Sequence, residues 1–183
     1  MLFFFNQLFY IELTLFMLAM VAFMTLAMSQ KALAIEDPNP KGTFVLGVRA
    51  GYYPGFGANV VGDYTLVDSW WRGHFTVGGY VGFNSRTYSD ISYHGTYANF
   101  AIMPRATYGL NITKEFEVHA GVMAGMCLTH WPSDYLGVNN EPHFIHGELA
   151  GIRYMFTDRF GVEAETIYTG YMSYFNAGVT FKF

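Results

Sequence analysis

Charge is scarce in this 183-residue chain. Asp, Glu, Lys and Arg make up 13% of it, well below the roughly 25% usual for a soluble domain. No basic patch offsets the net charge of −4, which excludes the electrostatic footprint of a nucleic-acid binder. Cysteine is nearly missing as well. Cys127 stands alone, so there is neither an intrachain disulfide nor a cysteine-based metal centre. Its expected role is that of a small apolar side chain near a strand end. After residue 34 no stretch approaches the ~20 apolar residues of a membrane helix. Aromatic residues, in contrast, make up 19% of the chain. A chain rich in aromatics, poor in charge and lacking a helical span has one membrane solution left, a closed β-barrel.

The first 34 residues are of another kind. Residues 13–28 are almost unbrokenly apolar, and Ala32 and Ala34 frame a small-residue cleavage site. This pattern predicts a secretory signal peptide over 1–34 and a single domain over 35–183. Residues 1–12 contain no Lys or Arg, which is unusual for such a signal. The alternative is a single uncleaved membrane anchor.

A motif recurs along the remainder. Lys41, Arg72, Lys114 and Arg159 are each followed closely by a phenylalanine, Phe44, Phe75, Phe116 and Phe160. A second apolar residue stands two positions further on, at Leu46, Val77, Val118 and Val162. Each interval suits a strand pair with its connections, so four units predict about eight strands. The basic residue is expected in an interfacial turn and the Phe in the aromatic girdle above it.

Period-two alternation then predicts strands over 43–53, 58–67, 74–84, 96–108, 116–126, 144–155, 161–169 and 173–183. The last is the most regular. Phe175, Ala177, Val179, Phe181 and Phe183 alternate with Tyr174, Asn176, Gly178, Thr180 and Lys182. Such a strand faces lipid on one side and a polar lumen on the other. Pro104 predicts an irregularity in the fourth strand. The sixth has unclear parity, because Glu148 and Arg153 fall on opposite faces, and a bulge between them would reconcile the two. Connections 67–72, 109–114 and 156–159 read as short turns, whereas 84–95 and 129–143 read as long polar loops. The long-loop end is then extracellular and the short-turn end periplasmic.

The inward parity collects Arg49, Asp63, Arg105, Glu117, His119, Glu163, Glu165 and Lys182, with Tyr80, Asn99, Asn176 and several glycines. Eight strands enclose a bore that side chains fill, and charges survive there only when paired. The expectation is a salt-bridged plug. The alternative is an ion path along Glu117, His119 and Glu163. No catalytic or metal set emerges, and no cofactor is implied. His143 and His146 point to opposite faces of a strand, a poor ligand geometry. A cation held by His130, Asp134, Glu141 and His143 is a weaker reading than a solvated loop. No serine shares a strand face with a histidine, as acyl hydrolysis would require. Any binding is expected on the long loops through Tyr88, Tyr93, Trp131 and Tyr135.

Residues 151–165, with Arg153, Tyr154, Phe160 and Glu163, and residues 174–183 together resemble the small outer-membrane β-barrel proteins of Bacteroidota, of broad OmpA/OmpX-like architecture. The resemblance implies an all-β, transmembrane, antiparallel up-and-down barrel in the cell outer membrane. It implies contact with outer-membrane lipid and lipopolysaccharide. It also implies that Tyr174, Phe181 and Phe183 form the signal read by the barrel-assembly machinery. The expected role is that of a structural or surface-interaction protein with a non-conducting lumen. A lipid-modifying enzyme and a small-solute channel are the alternatives.

Overall fold

A computed structural model describes residues 38–70, 73–90, 93–131 and 142–183. These lie in the second of two units into which the chain divides, Glu36–Phe183. The expected signal peptide falls outside the described residues.

Eight strands follow one another: β1 Phe44–Tyr52, β2 Phe56–Trp70, β3 Gly73–Asp90, β4 Tyr93–Asn111, β5 Phe116–His130, β6 Pro142–Met155, β7 Phe160–Tyr168 and β8 Phe175–Lys182. Each pairs antiparallel with its neighbours, and β8 pairs with β1 to close the barrel. Closure removes every edge over the shared length of the strands, which an open sheet in lipid cannot do. The strands are strongly inclined. Hydrogen-bonded partners lead from Phe44 through Tyr64, Val77, Ala106, Val122 and Glu148 to Tyr168. That path climbs from the short-turn end of β1 to the opposite end of β7, as barrel tilt requires.

The outward faces carry an apolar band between two aromatic levels. At the short-turn end Phe44 meets Phe183, Trp70 packs edge-on against Phe75 and Tyr108, and Phe160 contacts Phe181. At the far end stand Phe56, the pair Phe83 and Phe100, Phe144 and Phe175. Between them Val48, Val60, Val81, Ile102 and Val122 are exposed. Large exposed hydrophobics in a continuous belt match a lipid-facing wall. Lys41, Lys114 and Arg159 lie exposed in the short-turn region, each near its phenylalanine; Arg72 lies outside the described residues.

The expected bulge in β6 is absent. Its register with β5 runs unbroken from Tyr154 to Pro142, and Glu148 simply points outward. The register shifts belong to β2, beside Val67. At Pro104 pairing with β5 stops after Ile102 and resumes at Arg105 in the same register. The missing proline N–H interrupts the ladder without displacing it. The connection read as a loop over 84–95 is mostly β-ribbon. Arg86 pairs Tyr97, Thr87 pairs Thr96 and Asp90 pairs Tyr93, so Tyr88 and Tyr93 belong to strands. Where both faces meet water, alternation fades although backbone pairing continues. Strand eight starts at Phe175 and not at 173.

Candidate functional site

All seven acidic, guanidinium and imidazole side chains expected inside are there and buried: Arg49, Asp63, Arg105, Glu117, His119, Glu163 and Glu165. Alternation delivers each one. A Cβ at Gly47 would overlap a Glu163 oxygen, so that glycine makes room for the carboxylate.

The network has three cationic hubs. Arg105 forms a two-pronged contact with Glu165, at 2.8 and 3.2 Å, and its Nε lies 3.1 Å from Asp63. Arg49 sits 2.6 Å from Glu165 and 3.3 Å from Glu163. None of its nitrogens is aligned for a hydrogen bond, so charge and not directional bonding holds it. The third hub, Arg153, was missed by sequence reasoning. It donates to Glu117 at 3.0 Å and to Glu163 at 3.1 Å, and stands 3.9 Å from Asp63. The available signal was its direct cross-strand pairing with Glu163 across the 156–159 turn. The doubtful parity of strand six concealed it.

His119 lies between two carboxylates, Nδ1 3.3 Å from Glu117 and Nε2 3.1 Å from Glu165. Nε2 is placed for a hydrogen bond with Glu165, whereas Nδ1 is close to Glu117 without hydrogen-bond alignment. Of the expected Glu117–His119–Glu163 line the first contact is present, but the second runs to Glu165 and not to Glu163.

Lys182 does not join this network. Its Nζ donates to the Pro38 carbonyl at 3.1 Å, at the short-turn mouth. There Asn39 enters the bore and donates to Glu117 at 2.8 Å, beside the buried His74. A cleft of about 560 Å³ opens at this mouth, lined by Pro40, Asp68, Lys114, Phe156 and Asp158 among others.

The other half of the lumen corrects the sequence reading outright. It is not polar. Val61, Tyr80, Met103, Met123, Cys127, Ile145, Leu149, Ile167 and Met172 form one buried cluster inside the barrel. Above it a polar lid closes the far end. Asn84 donates to Ser173 and Asn59 to Asn176, each at 2.7 Å. Arg86 reaches the carbonyls of Gly170 and Met172.

The expected assembly residues separate. Phe183 and Phe44 exchange two backbone hydrogen bonds at the β1–β8 seam, and Phe181 packs on Phe160 nearby. Tyr174 lies at the opposite end and off the strand, stacked on Tyr168 at 5.6 Å. Among the expected loop contacts, Trp131 stacks on Tyr97 at 4.4 Å. The side chains of Tyr88 and Tyr93, and all of Tyr135, are outside the described residues, as are Asp134 and Glu141. No cluster of metal ligands occurs among the described residues. His143 and His146 do fall on opposite faces.

No family model matches the sequence, and no curated protein matches it. Solved structures with similar barrels include those of outer-membrane proteins. The Yersinia pestis outer membrane protein Ail in a phospholipid bilayer nanodisc is 14% identical, with a TM-score of 0.49 over 77% of this chain and 98% of that one. The N-terminal β-barrel domain of Pseudomonas aeruginosa OprF is 19% identical, with a TM-score of 0.48 over 78% of this chain and 98% of that one. Ail in complex with the heparin analogue sucrose octasulfate is 13% identical, with a TM-score of 0.48 over 78% of this chain and 99% of that one. The eight-stranded closed architecture of the present chain rests on its own strand order and register.

Proposed function

We propose that this chain is an integral outer-membrane barrel with a closed, non-conducting lumen. Its role is structural or surface-interacting, through the end that carries the β3–β4 ribbon. The observation that carries this reading is the filled bore. A layer of paired charges crosses it, followed by a layer of packed apolar side chains. Eight strands leave room for side chains alone, whereas a water-filled channel takes about sixteen. The outward belt between two aromatic levels supports membrane insertion, and the short turns at one end support a periplasmic orientation there.

The test is conductance. Purified wild-type protein in a planar bilayer should give no stable, solute-permeable current. Reproducible large single-channel steps would overturn the closed lumen and favour the channel reading.

The ribbon reading has its own test. Function concentrates on projections from a rigid scaffold, and here Tyr97 and Trp131 form an aromatic pair beyond the barrel wall. Replacing residues 86–97 with a short turn should leave the barrel folded and abolish any adhesion or ligand capture. A binding phenotype that survived would place the site elsewhere. The proposed link to the barrel-assembly machinery rests on Phe181 and Phe183 beside the closing seam. Phe183→Ala should then lower the folded fraction in cells while leaving in vitro refolding intact.

A further inference from the structure

One side of the barrel wall differs from the rest. Tyrosines aside, the outward positions of the described strands between the two aromatic levels carry ionisable side chains on β6 alone, His146 and Glu148. Neither makes a hydrogen bond or ion pair with a described residue. The hydroxyl of Thr166 nearby is already donated to the Ala150 carbonyl, at 3.2 Å.

Much of the surrounding wall is small. Ala124 stands opposite His146, and Glu148 has Val122 and Tyr168 beside it. Ala120, Ala150 and Thr166 form the next cross-strand row towards the short turns. The opposite wall instead carries Val81, Ile102 and the pair Phe83 and Phe100. Short side chains let a second protein surface come close, and close packing is what holds proteins together in lipid.

Depth decides what can meet Glu148. Phe144 marks the far aromatic level on β6, and Glu148 lies four residues below it. At about 3.3 Å per residue on a strand inclined by roughly 40°, that is some 10 Å inside the apolar band. Headgroups do not reach so far, and acyl chains offer a carboxylate no donor. An acidic group on a lipid-facing wall is destabilising, and ionisable groups at membrane depth pair with one another. The fitting partner is another protein wall.

The patch carries both halves of its own complement. A two-fold axis along the membrane normal keeps every residue at its own depth. Set beside Gly147, between the two side chains, it crosses β6 with the β6 of a second copy. Glu148 of each chain then lies about 5 Å in projection from His146 of the other. A carboxylate and an imidazole span that distance, and the two contacts are reciprocal.

We propose that the β5–β7 wall is an interface between two copies of this chain in the membrane, closed by Glu148 of each copy against His146 of the other. The proposal rests on the membrane insertion given under Proposed function.

The test is Förster transfer between donor-labelled and acceptor-labelled copies of the full chain, refolded alone into phosphatidylcholine vesicles over a series of protein-to-lipid ratios. Heat-modifiable gel mobility reports folding independently. Wild type should rise to a dimer plateau. Glu148→Leu and His146→Leu should each shift the half-point to about tenfold more protein or beyond, as for loss of a hydrogen bond to a charged group. Exchanging the two, His146→Glu with Glu148→His, keeps the reciprocal pair and should restore the wild-type curve. Val81→Ala, on the opposite wall, should leave it unchanged. A folded, inserted wild type that transfers no energy beyond random crowding overturns the interface and leaves the barrel reading standing. A dimer that both leucine variants leave intact does the same, and one weakened by Glu148→Leu alone overturns the reciprocal pair. Failure of the wild type to insert overturns both readings.

Discussion

The two halves of the lumen solve one packing problem with opposite chemistry. Near the short turns the bore is filled by Arg49, Arg105, Arg153 and His119 against Asp63, Glu117, Glu163 and Glu165. Towards the far end it is filled by Met103, Met123, Leu149, Ile167 and Met172. The same backbone geometry and the same alternation serve both. The charged half binds by long-range attraction that tolerates imperfect alignment, as Arg49 does. The apolar half depends on shape, because a void there has no partner atoms. A mutation in the first therefore costs through the charges it leaves behind, and in the second through the space it leaves behind.

The sharpest way to break this contrast is to remove one hub. Arg153→Ala removes the guanidinium shared by Glu117 and Glu163, leaving Glu117 only Asn39 and the imidazoles and Glu163 only Arg49. It should cost about 3–5 kcal/mol, the penalty of breaking a buried ion pair. Denaturant titration in lipid vesicles, followed by gel mobility, checks it. Adding Glu117→Gln to Arg153→Ala should recover part of the loss; if the double variant is as unstable as the sum of two single losses, the carboxylates are not coupled through Arg153.

Leu149→Ala is the matching change in the apolar half. It should cost about 2–4 kcal/mol through a cavity that does not refill. Leu149→Met should cost under about 1.5 kcal/mol, since volume is conserved. A salt series separates the two halves further: neither Leu149 variant should respond to ionic strength.

Asn39→Ala removes one buried hydrogen bond to Glu117 at the mouth. It should cost about 1–2 kcal/mol, and hydrogen exchange of the backbone amide of Thr43 should rise while β5 and β6 stay protected. The smallest effect belongs outside both halves. Tyr97→Ala breaks the stack with Trp131 and should cost no more than about 0.5–1.5 kcal/mol locally. Trp131 emission should shift, and the barrel's unfolding midpoint should stay put.

How much was legible follows from what alternation can and cannot say. On β1 and β7 one face meets lipid and the other carries Arg49, Glu163 and Glu165, so hydrophobicity alternates around those charges and parity is unambiguous. On β6 both faces are apolar at Ile145 and Leu149, so the inward position of Arg153 was hidden and Glu148 seemed to need a bulge. On β3 beyond Asn84 both faces are polar, and the ribbon read as a loop. Alternation reports a difference between two environments, and it falls silent where the environments agree.

By itself, then, the sequence determined the barrel, the number of strands, the short-turn end and most of the charged layer, because each follows from local periodicity and composition. Tertiary structure alone decided which cation meets which carboxylate. It also decided that half the lumen is apolar, that Lys182 caps the mouth and that Tyr174 sits far from Phe183. Those facts depend on register and tilt, which bring together residues from strands distant in the chain. Register is a property of the closed sheet as a whole, and no single strand encodes it.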